Sequence, residues 1–154
     1  MIPAALKATL FVRGLGLAKV PLLFLCQPVV EEIGDERCVV RIPLNFVTKN
    51  HLRSMYIGVL AIGADVTGGI MAVEQVRRAG RPVDVLFKDL KAEFLKRPTA
   101  AVRFTCADGQ AIRAAVAVGI ETGKRQNVPL HVSATVGDQE VARFDMTLTL
   151  KRRD

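Results

Sequence analysis

Along much of the chain, apolar and polar residues alternate with the two-residue period of half-buried strands. Between Met55 and Ala72 that alternation gives way to a nearly continuous apolar run, MYIGVLAIGADVTGGIMA. The run falls short of the roughly 20 mostly apolar residues that a membrane span needs. It also holds four glycines, Gly58, Gly63, Gly68 and Gly69, and one charge, Asp65. The pattern predicts a helix buried on nearly all sides and running on to about Val76. Glycine within a helix costs roughly 0.5–1 kcal/mol relative to alanine, so the four predict close approach by another backbone. A carboxylate on such a helix must be paired, hydrogen-bonded or used, which makes Asp65 the leading candidate for chemistry.

The flanking patterns supply the rest of the fold. Leu6, Leu10, Phe11 and Leu17 lie near helical spacing, with Lys7 and Arg13 free to reach water. This predicts a short amphipathic helix from Ala4 to about Leu17, ended near Gly14 and Gly16 and serving as a lid on the domain's own core, with a basic helix lying on a membrane surface as the alternative. Residues 28–33 and 37–44 predict a hairpin about the turn Gly34-Asp35-Glu36, with Cys38, Val40, Ile42 and Leu44 on one face. A polar loop, residues 45–54, leads into the apolar helix, which Ser54 or Asn50 would cap. Residues 83–95 predict a strand whose alternation slips phase, placing a bulge near Lys88. Val102, Phe104 and Cys106 mark the next strand. Asp108 then caps a helix over residues 110–121 closed by Gly123, although AAVAVGI would also extend a strand. Residues 130–136 and 142–150 alternate cleanly about Gly137-Asp138. An apolar helix followed by amphipathic antiparallel strands implies an α+β domain in which the sheet curls around the helix.

Composition narrows the function classes. The chain has 154 residues and half are apolar, which suits one domain, with an N-terminal helical segment over residues 1–24 and a core over 25–151. Cys26, Cys38 and Cys106 are odd in number and widely spaced, so neither a disulfide framework nor a zinc site is expected and a reducing cytoplasm fits best. The run before Cys26 is interrupted by charges and preceded by Pro21, which argues against an export signal. A formal net charge of +7 favours an anionic partner. Nucleic acid is not expected, because the chain has no Trp, a single Tyr and no reader motif.

Where the loop meets the helix, NHLRSMYIGVLAIGAD resembles the hot-dog fold thioesterase superfamily, in particular its phenylacetyl-CoA thioesterase-like branch. Asn50 fits the asparagine of that pattern, Gly58 its second glycine and Asp65 its catalytic acid. Tyr56 stands where histidine is usual and Ile57 where the first glycine is usual. FLKRP, Phe94 to Pro98, is similar to a segment in a poorly characterised sub-branch of the same fold. The resemblance implies hydrolysis of an acyl-CoA or related thioester at the interface of a homodimer, or of a dimer of two such dimers. Asp65 would be the general base, the Ile57 and Gly58 helix start the oxyanion site, and Asn50 a further catalytic-site residue. No cofactor is implied beyond coenzyme A as part of the substrate.

Geometry bears on that implication. Ile57 and Asp65 are eight residues apart, about 12 Å along one helix, so one chain cannot bring both to the same thioester carbon. A working site would take Ile57 N–H from one chain and Asp65 from another, with Ala61 near a two-fold axis and Gly58 or Gly63 allowing close approach. His51 and Tyr56 would line the pocket. Arg77, Arg78, Arg81, Lys96 and Arg97 are candidates to hold the phosphates of coenzyme A. His131 lies on the outward parity of its strand, and no metal site is expected. Three alternatives stand beside the enzyme: Asp65 as a purely structural hydrogen-bonding group, a module that binds acyl-CoA without turnover, and a dehydratase of the same fold.

Overall fold

Six strands form one antiparallel sheet in the order β1-β2-β4-β5-β6-β3, and a long helix packs across it. The computed structural model describes residues 1–153. In chain order the elements are α1 (Ala4–Lys19), α2 (Pro21–Leu25), β1 (Val29–Ile33), β2 (Cys38–Ile42), α3 (Ile57–Ala79), β3 (Val83–Phe94), β4 (Val102–Cys106), α4 (Gly109–Thr122), β5 (Gln126–Val136) and β6 (Gln139–Arg152). This is an α+β hot-dog fold, an antiparallel sheet wrapped around a central helix.

Alternation builds the core as expected. Val102, Phe104 and Cys106 of β4, Leu130, Val132 and Ala134 of β5, and Phe144, Met146 and Leu148 of β6 all point inward and are fully or almost fully buried. The face of α3 made by Leu60, Ala64, Val66, Ile70 and Met71 covers them. Among the described residues, α3 is the one helix long and apolar enough to cross a membrane, and here it is the core helix of the sheet.

The phase slip in β3 falls where the pattern predicts it, between Phe87 and Asp89. Asp89 Oδ1 accepts the N–H of Thr147 at 2.9 Å, so the bulge leaves that donor satisfied. A second bulge, between Val30 and Glu32, was not evident from the pattern. It turns Glu31 so that its carboxylate reaches Arg41 of β2 at 2.9 Å and Arg103 of β4 at 2.6 Å.

Several local expectations are corrected. Neither Ser54 nor Asn50 caps α3; the residue before it is Tyr56, in extended conformation with no side-chain cap. Backbone bonds from Met55 N to Pro98 O and from Tyr56 N to Thr48 O, both 2.9 Å, hold these two residues out of the helix. At its other end α3 runs past Val76 to Ala79 and stops at Gly80 in the left-handed conformation. Asp108 occupies the position before α4 without bonding a helix N–H, because its Oδ2 accepts the N–H of His131 at 2.7 Å.

The N-terminal segment departs furthest from its pattern. Helix α1 continues through Gly14 and Gly16 to Lys19, and Pro21 then starts the unpredicted α2. The face of α1 toward the core is made of small residues, with Thr9, Val12 and Gly16 buried, while Leu6, Leu10 and Leu17 are exposed. Hydrogen bonding decides this orientation. Thr9 Oγ1 accepts the Val30 N–H at 2.9 Å, and Arg13 Nε donates to Pro28 O at 3.1 Å, fixing α1 along the edge strand β1. At Gly16 a side chain would collide with the backbone of Phe24, so glycine is what lets α2 fold back on α1.

Candidate functional site

Helix α3 is not covered all round. Gly58, the adjacent pair Ala61 and Ile62, Asp65, Gly69 and Val73 recur at helical spacing and form a stripe that the sheet leaves half-buried or exposed. Asp65 sits in the middle of it. Its carboxylate is open to solvent on the outer side, yet burial of its flank among apolar neighbours pushes its pKa above the ordinary 3.8. The neighbouring Thr67 hydroxyl donates to Gly63 O at 2.6 Å.

Two cavities flank this stripe, and each holds one half of the expected chemistry. The first, about 470 Å³, has Asp65 in its wall along with Ile62, Val66, Gly69 and Ile70 of α3, Val85 to Phe87 of β3, and Phe11, Leu15 and Leu22 of the N-terminal helices. Apart from Asp65 its lining is apolar. Its size suits a small-molecule ligand. The N-terminal wall was not identified as part of a site from sequence; the signal available was the apolar run Leu22 to Leu25 opened by a proline at a helix start.

The second cavity, also about 470 Å³, lies at the beginning of α3. It brings together Asn50, His51, Tyr56 and Ile57 from the loop and helix start with Lys96 and Arg97 from about forty residues further along the chain. The N–H groups of Ile57 and Gly58 occupy the first two helical positions, where no carbonyl one turn earlier is available within the helix, so they present donors and the positive helix end. The Tyr56 ring lies over Gly58, where there is no side chain to obstruct it. Asn50 organises the preceding loop: its Oδ1 accepts the N–H groups of Leu52 and Ser54 at 2.9 and 3.1 Å, and its Nδ2 donates to Ser54 Oγ at 3.0 Å. Arg97 braces that loop from across the cavity through Leu52 O at 2.8 Å, and Lys96 Nζ donates to Gln139 at 2.9 Å. The role of the FLKRP segment is thus visible, since Pro98 O also receives the Met55 N–H.

Other sequence candidates fall elsewhere. Arg77 and Arg78 are at the opposite end of α3, held by Glu74 at 2.7 and 2.9 Å, and Arg78 also pairs with Asp35. Arg81 follows in the exposed turn. None of the three lines either cavity. Gly63 faces Phe104 of the sheet, so it is not available to a partner helix, leaving Gly58 and Gly69 as the glycines on the open stripe beside Ala61. His131 is on the surface as expected, paired with Asp145 at 2.6 Å.

The element order and the sheet wrapped around α3 define a hot-dog fold protein. Residues 8–150 match a family described as a domain of unknown function (DUF4442), and the chain belongs to that family. A protein from Shewanella oneidensis named as a candidate thioesterase superposes with a TM-score of 0.80 at 18% identity, covering 93% of this chain and 96% of that one. A Pseudomonas aeruginosa protein of unknown function, described as a probable thioesterase, gives 0.78 at 22% identity over 94% and 96% of the two chains. A thioesterase from Haemophilus influenzae gives 0.69 at 10% identity over 99% and 93%. At these identities the likeness is one of fold. No curated protein matches the sequence significantly.

Proposed function

We propose that the protein hydrolyses an acyl-CoA or related thioester as a homodimer, with each site assembled from the helix start of one chain and Asp65 of the other. The observation that carries this reading is the separation of the two functional halves into different cavities on either side of an uncovered, small-residue stripe of α3. An antiparallel partner helix laid on that stripe about Ala61 would bring Asp65 of one chain to Ile57 of the other. Strand β3 supports the same arrangement, being an unpaired sheet edge of 12 residues with Leu86 and Leu90 exposed.

In the reaction, the carboxylate of Asp65 takes a proton from water as its oxygen bonds to the thioester carbon. The oxyanion formed is held by the Ile57 and Gly58 N–H groups. Collapse breaks the carbon–sulfur bond, and the thiolate takes up a proton. A raised Asp65 pKa makes it a stronger base than a surface aspartate. The apolar cavity beside Asp65 would take the acyl chain, and Lys96 and Arg97, at the rim of the helix-start cavity, would meet the phosphates of coenzyme A. Arg77, Arg78 and Arg81 have no place in this arrangement within one chain. A second reading, acyl-CoA binding without turnover, is favoured by Tyr56 and Ile57, whose side chains are both about half exposed (53% and 54%) at the helix start.

The test is thiol release from short, medium, long and aromatic acyl-CoAs, with the Asp65→Asn variant alongside. Turnover should fall by about 10²–10⁴-fold in the variant while acyl-CoA affinity is kept. Unchanged turnover in the variant would rule out Asp65 as the base. Binding without turnover in the unaltered protein would select the second reading.

A further inference from the structure

Half of the exposed large apolar side chains in the described structure, ten of twenty, belong to the first 25 residues. They are not scattered. On α1, Leu6, Leu10 and Leu17 are four and seven residues apart and so lie on one stripe. Their exposures are 48%, 59% and 66%. Helix α2 adds Phe24 and Leu25. The small residues of α1 are the ones turned inward, and Thr9 and Arg13 lock that orientation through hydrogen bonds to Val30 and Pro28. The outward apolar face is therefore fixed by the fold, and it groups large side chains that soluble proteins more often expose singly.

Charge identifies what would cover it. Residues 1–30 contain no aspartate or glutamate, and of their three cations Lys7 and Lys19 are exposed while Arg13 is held against Pro28 and Gln27. A second copy seated here through a two-fold axis would bring like charges together around the leucines. An anionic lipid surface matches both the leucines and the cations. We infer that the outward face of α1 and α2 docks the protein on the surface of an anionic bilayer, with the leucines entering the acyl boundary and Lys7 and Lys19 meeting lipid headgroups. Because Phe11, Leu15 and Leu22 of the same two helices wall the apolar cavity beside Asp65, docking sets that cavity next to the source of acyl chains. The docking itself stands apart from the thioesterase reading.

The experiment is co-sedimentation of the full chain with vesicles of phosphatidylcholine alone and of phosphatidylcholine mixed with phosphatidylglycerol. Two variants are compared: Leu6→Ser/Leu10→Ser/Leu17→Ser, and Lys7→Gln/Lys19→Gln. None of these five residues lines either cavity. The unaltered protein should sediment with the mixed vesicles and lose binding as salt is raised. The leucine variant should bind at least about tenfold more weakly, and the lysine variant should lose about tenfold of its preference for anionic vesicles. Light scattering and circular dichroism would establish that both variants keep their mass and fold. Protein left in the supernatant with every vesicle, or sedimenting equally with both compositions, would overturn the inference. So would a leucine variant whose only change is a smaller oligomer, since that face would then join copies of this chain. Asp65→Asn should bind vesicles like the unaltered protein, so loss of hydrolysis and loss of docking are read separately.

Discussion

The ring of Phe104, in the middle of β4, fills the space that a side chain at Gly63 of α3 would occupy. Both residues are buried, and Phe104 has no measurable exposure. Helix and sheet are therefore in direct contact at this point. Gly63→Ala should destabilise the fold by about 1–3 kcal/mol through overpacking, despite the helix propensity gained. Gly69→Ala, on the open stripe where the nearest atom is an ordinary 3.8 Å away, should leave monomer stability unchanged or raise it by about 0.5–1 kcal/mol. Denaturant unfolding of the two variants side by side measures the difference.

Asp65 gives a prediction about pH whose sign is opposite to that of most carboxylates. Burial among apolar neighbours raises its folded pKa above the unfolded value, so the folded state holds its proton more tightly. Its contribution to stability is fully present below the unfolded pKa and is lost as pH rises through the folded pKa. Asp65→Asn removes that loss. The variant should melt at the same temperature as the unaltered protein in acid and at a higher one at neutral pH. Activity should follow the opposite course, with kcat/KM rising as Asp65 ionises, at a pH above the usual aspartate range. Melting curves and rate profiles across that window check both limbs.

The strands were legible in the sequence because each buries one face, and Phe104, Leu130 and Phe144 mark that face by simple alternation. The bulge in β3 was legible for the same reason, since an extra residue reverses parity. The bulge at Glu31 was not, because β2 is buried at Val39 as well as at Val40, and one strand of the pair hides the phase of the other. The inward and outward faces of α1 were misread because large apolar residues were assigned to the core. In the structure, the bonds of Thr9 and Arg13 and the close packing at Gly16 outweigh that preference. Asp65 was recognisable as a lone acid in an apolar helix. Its position on a stripe open to solvent follows only once the sheet's coverage of α3 is known.

Glu31 links three strands from its bulge, and its pKa expresses the balance of forces there. Burial alone would raise it, but the hydrogen bonds and charges of Arg103 and then Arg41 outweigh burial and hold it below the ordinary 4.5. A depressed folded pKa means that the group stabilises the fold above its unfolded pKa and ceases to do so as pH falls through the folded one. Glu31→Gln should therefore cost about 0.5–1 kcal/mol at neutral pH and nothing in strong acid. High salt should shrink the neutral-pH difference, because these groups are partly exposed. Urea titrations at two pH values and two ionic strengths would test this; a constant difference across all four would mean that packing, and not charge, is responsible.

The division of the proposed site between two chains can be tested without a structure of the dimer. Ile57 is the first residue of α3, a position where proline fits helix geometry and only the N–H donor is removed. Tyr56 before it already has φ −65° and ψ 140°, the extended conformation that a following proline requires. Ile57→Pro should thus fold normally while losing one oxyanion donor, and its turnover should fall by about 10²–10³-fold. Asp65→Asn, made separately, loses the base. When the two inactive proteins are unfolded together and refolded as a mixture, half of the dimers contain one chain of each kind. In each mixed dimer, the site formed by Ile57 of the Asp65→Asn chain and Asp65 of the Ile57→Pro chain is intact, and the other site lacks both groups. Turnover should return to about a quarter of that of the unaltered protein. A site contained within a single chain would recover nothing on mixing, because no chain in the mixture carries both groups.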